Sequence, residues 1–174
     1  MKQKHLLIGI AASAGLFISH AALAVNAVAD ISGTVPGSTV VGRTVMQELN
    51  GGVQFSISIY NVAPGMHGIH IHEFGSCSNT GLAAGKHFNP AGAQHGFLPA
   101  QGFNAAHVGD LGNINVQANG IGFLELFVPG LKITEGPAAL AGRAIILHDK
   151  ADDFTQPLGN AGDRIGCGMI GIIK

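Results

Sequence analysis

Apolar and polar positions alternate along the stretch from Val53 to Ile59, where Val53, Phe55, Ile57 and Ile59 are separated by Gln54, Ser56 and Ser58. A period of two puts the apolar set on one face of an extended strand and the polar set on the other. Val40–Leu49 precedes this run, and Asn50-Gly51-Gly52 between them has the residues a tight hairpin needs. Ile114, Val116 and Ala118 alternate again, and Asn119-Gly120 turns the chain into Ile121–Val128. Ala27–Thr34, Gly68–Glu73, Gly142–His148 and Ile165–Ile173 read as further strands, about eight in all. No segment carries a convincing helical period, and no repeat or linker divides the chain. The pattern predicts a single all-β domain. Phe74–Leu111 and Asp149–Arg164 lack any strand pattern, and structureless loops of that length are usually functional.

Composition narrows the function classes. Charged residues are 11% of the 174-residue chain, against roughly 25% in an average soluble domain. The formal charge of -1 excludes a basic nucleic-acid binder, and an apolar content of 47% argues against disorder. Twenty-seven glycines without a collagen-like period fit a fold rich in tight turns.

The first 24 residues read as an address. Lys2 and Lys4 precede the apolar run Leu6–Ile18, and Ala22-Leu23-Ala24 forms a small-x-small exit. This is the pattern of a cleaved secretory signal, and the run is too short to span a bilayer. The expectation is a mature domain over residues 25–174, exported to the periplasm or secreted, with no membrane anchor after cleavage. Losing Lys2 and Lys4 moves the formal charge from -1 to -3. Cys77 and Cys167 are the only cysteines, and in an oxidising compartment they can form a disulfide.

Seven histidines remain in the mature chain, with one tyrosine and no tryptophan. His70 and His72 stand two apart in a predicted strand, so both imidazoles leave the same face and can converge on one ion. His87, His95 and His107 lie in the first long loop, Asp110 follows three residues after His107, and His148 closes a late strand. Imidazole suits zinc and copper, and zinc also accepts a carboxylate oxygen. Six histidines and one aspartate are too many for one tetrahedral ion. They suffice for two if one imidazole is shared through both of its nitrogens. A zinc hydrolase is disfavoured because no glutamate is set beside the ligands on a helix. On residue types alone, a metal-buffering protein or an adhesion module with incidental histidines would also fit.

Five blocks then become specific. Gly65–Glu73 (GMHGIHIHE), Lys86–Pro90 (KHFNP), Ala106–Gly112 (AHVGDLG), Leu147–Asp153 (LHDKADD) and Gly159–Gly171 (GNAGDRIGCGMIG) resemble, in order and spacing, the signature blocks of the copper/zinc superoxide dismutases. The cysteine five residues after His72 and the short last loop resemble the bacterial periplasmic branch. The resemblance implies an eight-stranded Greek-key β-barrel or sandwich with a long metal-binding loop and a short electrostatic loop. It implies one copper on His70, His72, His87 and His148, and one zinc on His87, His95, His107 and Asp110, with His87 as the bridge. Asp152 would link His70 to His95, and His67 would stabilise the loops by hydrogen bonding. Arg164 would hold the superoxide anion and His87 would carry a proton, which makes these two the catalytic pair. Lys86 and Lys150 are candidates for steering the substrate inward. The resemblance leaves both a homodimer and a monomer open.

Overall fold

The computed structural model describes residues 25–173, so the expected leader lies outside the described residues. Nine strand segments follow in chain order: β1 (Asn26–Gly33), β2 (Val41–Leu49), β3 (Gly52–Tyr60), β4 (Gly65–His72), β5 (Asp110–Val116), β6 (Ile121–Pro129), β7 (Ala144–His148), β8 (Arg164–Met169) and β9 (Gly171–Ile173). Their order across the sheet is β2-β3-β6-β5-β4-β7-β8-β1, and the β1–β2 pairing closes the ring. β8 and β9 both pair antiparallel with β1 and are separated only by Ile170, so the barrel has eight walls. The jump from β3 to β6 and from β4 to β7 is the Greek-key connection.

Alternation explains the register. Val53, Phe55, Ile57 and Ile59 of β3 are buried, while Gln54, Ser56 and Ser58 between them are partly wet. Met46 and Thr44 of β2 face the same interior from the neighbouring strand, as do Ala27, Ala29 and Ile31 of β1. β7 departs from alternation, because all five of its residues are buried. Ile145 and Leu147 face the barrel interior, whereas Ala144 and Ile146 pack with Ala84 and the cysteines under a loop on the outside. A strand covered on both faces reads as a continuous apolar run.

The structure departs from the expected boundaries in several places: β4 opens at Gly65 rather than Gly68, β7 opens at Ala144 rather than Gly142, and the expected strand Ile165–Ile173 is split into β8 and β9. β5 begins at Asp110, so the expected loop Phe74–Leu111 ends two residues sooner, and Ala118 falls in the turn after the strand. That loop also contains a 3-10 turn at Leu82–Ala84 and a four-residue helix, α1 (Leu98–Gln101), too short to register as a helical period. A third connection, residues 130–143, carries no sign of its role in the strand pattern. Its Leu131, Ile133 and Leu140 are fully buried and close one end of the barrel. Glu48 on β2 anchors it, accepting hydrogen bonds from Ile133 N at 2.9 Å and Lys132 Nζ at 2.8 Å.

Because Phe55 is wholly buried in the middle of β3, truncation leaves a void the surrounding strands cannot close. Phe55→Ala is expected to lower unfolding free energy by about 3–5 kcal/mol, measured by urea titration.

Candidate metal centre

β4 sets the site on the outer wall of the barrel. Ile69 and Ile71 point into the core, so His70 and His72 leave the opposite face, beneath the loops. A register shift between Gly68 and His70 breaks the pairing with β5 at this point. β7 runs antiparallel beside β4 and ends at His148, opposite Arg164 of β8. The loop after β4 folds back so that His87 forms a bridge with His72. His95 and His107 come from farther along the same loop, and Asp110 opens β5.

Two groups of four side chains converge, linked by a third made of His70, His95 and Asp152. His70, His72, His87 and His148 form one, and His87, His95, His107 and Asp110 the other, with the donor atoms of each group within 4.8 Å of one another. His87 belongs to both. Within the second group Asp110 Oδ1 lies 2.9 Å from His87 Nδ1, 3.0 Å from His95 Nδ1 and 3.1 Å from His107 Nδ1. Its other oxygen accepts from the backbone N–H of Gly96 and of His107, which fixes the carboxylate.

The second nitrogens of the rings are tied down. His72 Nδ1 donates to Gly85 O at 3.0 Å and His148 Nδ1 to Gly162 O at 3.2 Å. Asp152 accepts from His70 Nε2 on one oxygen and from His95 Nε2 on the other, both at 2.9 Å. One carboxylate therefore couples a ring of each group and fixes both tautomers. His67 is buried, with Nδ1 2.8 Å from His148 O and Nε2 2.8 Å from Ala63 O, and it joins neither group.

These residues fit metal ions. His70 Nδ1, His72 Nε2 and His148 Nε2 are buried with no hydrogen-bond partner, and His95 Nδ1 faces only the Asp110 carboxylate at 3.0 Å, an arrangement unfavourable in a protein with nothing to place there. Four ligands about 2.0–2.1 Å from a tetrahedral zinc stand roughly 3.3 Å from each other, close to the spacings around Asp110 Oδ1. Burial pulls His87 down to about 4 against the hydrogen bond it makes to Asp110, and it pulls His148 down to about 3 with help from the neighbouring His70. His70 and His72 are lowered for the same reason, so these rings are neutral at pH 7, the form in which imidazole can bind a metal. Burial also opposes charge on His95, but Asp110 and Asp152 outweigh it and raise the ring to about 9. Asp110 resists the upward push of burial, because His107, His87 and His95 hold its carboxyl well below the usual carboxylate range.

A cavity of about 420 Å³ opens over the first group, lined by His72, His87, His148, Lys86, Leu158 and Arg164 among others. Arg164 is half-buried and donates from Nη1 to Gly81 O and from Nη2 to Gly85 O, each at 2.6 Å. Gly85 O thus serves both the arginine and the His72 ring. The Cys77–Cys167 disulfide ties the loop that carries these carbonyls to β8. Lys86 lines the cavity, but Lys150 does not, and its stem instead runs beside Gly162.

Three supporting residues escaped the reading of the sequence. Asn113 on β5 clasps the backbone of Asp152, donating to its O at 2.9 Å and accepting from its N–H at 2.7 Å. Gln156 makes the same kind of pair with the backbone of His95. Gly159 has φ 72°, and a Cβ there would collide with the Asp152 carboxylate and His95 Nε2. The only sequence signal for any of them was their place in or beside the ligand blocks.

Among the described residues no helix is long and apolar enough to cross a membrane. A solved structure described as that of the clock protein EA4 is similar to this chain, with 35% identity and a TM-score of 0.76 over 85% of this chain and 94% of that one. The sequence model of the copper/zinc superoxide dismutases matches residues 40–170, a span that takes in both histidine groups and the disulfide. On that match, and with the barrel and its paired ligand groups in place, the chain belongs to the copper/zinc superoxide dismutase family of oxidoreductases.

Proposed function

We propose that the protein converts two superoxide anions and two protons to O2 and H2O2, with copper held by His70, His72, His87 and His148 and zinc by His87, His95, His107 and Asp110. The observation that carries this reading is the sharing of His87 between two buried donor groups. Bound there, copper supplies the one-electron Cu²⁺/Cu⁺ couple that dismutation needs, and zinc, which has no redox chemistry, supplies a fixed positive charge.

The chain's own residues do the rest. Arg164 aims a guanidinium into the cavity and holds the anion, its orientation set by the carbonyls of Gly81 and Gly85. His87 turns Nδ1 toward Asp110, and its other ring nitrogen, Nε2, is the atom that carries a proton to the reduced substrate. Asp110 lowers the charge around the shared ring, and Asp152 keeps the rings of His70 and His95 in mutual register. His67 fastens the end of β7 through His148 O and has a structural role. Lys86 adds positive potential at the cavity, which matters because the mature chain is net acidic. Lys150 adds its charge from outside the lining.

The disulfide fits an oxidising compartment outside the cytoplasm. Residues 1–24 act as a cleaved export signal to the periplasm or beyond, leaving the domain at residues 25–174, and this domain works as a monomer or a homodimer. Edman degradation or intact mass of the exported protein should place its first residue near Val25.

Elemental analysis of the purified protein should find one copper and one zinc per chain, with superoxide consumption lost on chelation. His148→Ala should abolish that consumption, and full activity in the variant would exclude the assignment. A loaded wild-type protein no more active than free copper would mark a metal carrier instead. Arg164→Ala should keep its metals and lower kcat/KM by roughly ten- to hundredfold, the worth of one hydrogen bond to a charged group. Pulse radiolysis measures the rate and elemental analysis the metals.

The metal-free protein should also respond to pH. Unfolded histidine takes a proton near 6.5, whereas folded His87 and His148 wait until about 4 and about 3. Between pH 6.5 and 4 the unfolded chain therefore binds more protons, and stability falls as the pH falls. His95, raised to about 9, works in the opposite window, losing its contribution as the pH climbs from 6.5 through 9. Thermal melting of the metal-free protein should be lower at pH 4.5 than at pH 7.

A further inference from the structure

The backbone of His95 is buried in the middle of a long loop, away from any ladder. Among the described residues its N–H and C=O find one hydrogen-bonding partner, the side-chain amide of Gln156. Gln156 Oε1 accepts from His95 N at 3.0 Å, and Gln156 Nε2 donates to His95 O at 2.8 Å. A side-chain amide can do this because it offers an acceptor and a donor side by side without carrying charge. The ring of the same histidine is fixed at Nε2 by Asp152, four residues before Gln156 in the same loop. Main chain and ring of His95 are thus both held by the segment 152–156, which is itself bent tight by Asp153 accepting from Thr155 N and Oγ1.

We propose that Gln156 is a positioning residue for zinc retention. It sets the position of His95 in the second donor group by pairing with its backbone, while His72 and His148 of the first donor group keep their own supports in Gly85 O and Gly162 O. Without the amide, the buried N–H and C=O of His95 lose their partner and the loop around residue 95 lifts toward water. The ring then leaves the shared Asp110 oxygen, and the ion is the thing released. The selectivity follows from connectivity, since Gln156 pairs with a residue of the second group and reaches the first only through the Asp152 carboxylate that His95 shares with His70. The inference rests on the assignment of His95 to zinc made above.

The test compares zinc release from the copper- and zinc-loaded wild type, Gln156→Ala and Gln156→Glu under excess chelator, following each metal separately by mass spectrometry. Gln156→Glu retains an acceptor for His95 N–H but sets a carboxylate against His95 O. Both variants should release zinc roughly 10–100-fold faster or bind it that much more weakly, the usual effect of removing a residue that supports a ligand. Copper release should change far less, and cobalt placed in the zinc site should show an altered visible spectrum in the variants. Thr155→Val removes the hydroxyl bonds to Asp153 and Asn160, keeps the backbone N–H bond to Asp153 that holds the turn, does not touch His95 and should leave zinc release near wild type. Equal zinc release from wild type and both Gln156 variants would overturn this inference alone. So would a Thr155→Val effect as large as theirs, or parallel loss of both metals. A wild type that took up copper but no zinc would overturn the zinc assignment and this inference with it.

Discussion

Three ring nitrogens sealed from water without a partner, those of His70, His72 and His148, are the constraint around which this structure is arranged. Leaving a polar atom buried and unpaired costs about 1–3 kcal/mol, and here several such atoms face one another within a few ångströms. A pliant scaffold would relieve that by rotating the rings outward or letting water in. The barrel prevents it by fixing every ring at its far nitrogen, to Gly85 O, to Gly162 O or to the Asp152 carboxylate. Those anchors are in turn built on the closed sheet, whose interior is packed with fully buried Phe55, Ile57, Ile59 and Ile71.

Rigidity and reach are divided between strands and loops. β4 and β7 supply His70, His72 and His148 at positions set by antiparallel register, which cannot drift without exposing the core residues between them. The long loop supplies His87, His95 and His107 from a segment with almost no ladder of its own. That segment is held by cross-links: the disulfide at one end, Arg164 to Gly81 and Gly85, the cation of Arg143 over the Phe88 ring at 3.8 Å, and Gln156 on His95. Arg164 is both a tether of the loop and the one guanidinium in the cavity lining, so holding the scaffold and holding an anion are tasks of the same side chain.

The strands were legible because burial on one face writes period two into the sequence. Where that condition failed, so did the reading. β5 opens with Asp110 and Leu111, both buried for different reasons, one at the metal groups and one in the core, so no alternation marks its start. The connection 130–143 gave no strand or helix signal because its three buried residues, Leu131, Ile133 and Leu140, are too few and too unevenly spaced to set a single period. α1 is a single turn, below the length at which helical spacing can be seen. Lys150 sits next in sequence to the Asp149 that follows His148, yet closeness in sequence to a ligand did not bring it into the cavity.

The sequence by itself determined the fold class, the pool of seven candidate ligand side chains and the pair of cysteines, since residue type and strand period are local properties. Tertiary structure brings those side chains into two groups that meet at His87, because that depends on β4 lying beside β7 and on a loop folding back across β4. It also decided the supporting contacts of Asn113, Gln156 and Gly159. Their partners are main-chain atoms 39 and 61 residues away for the first two, and a backbone atom carries no mark in the sequence of what will come to bind it.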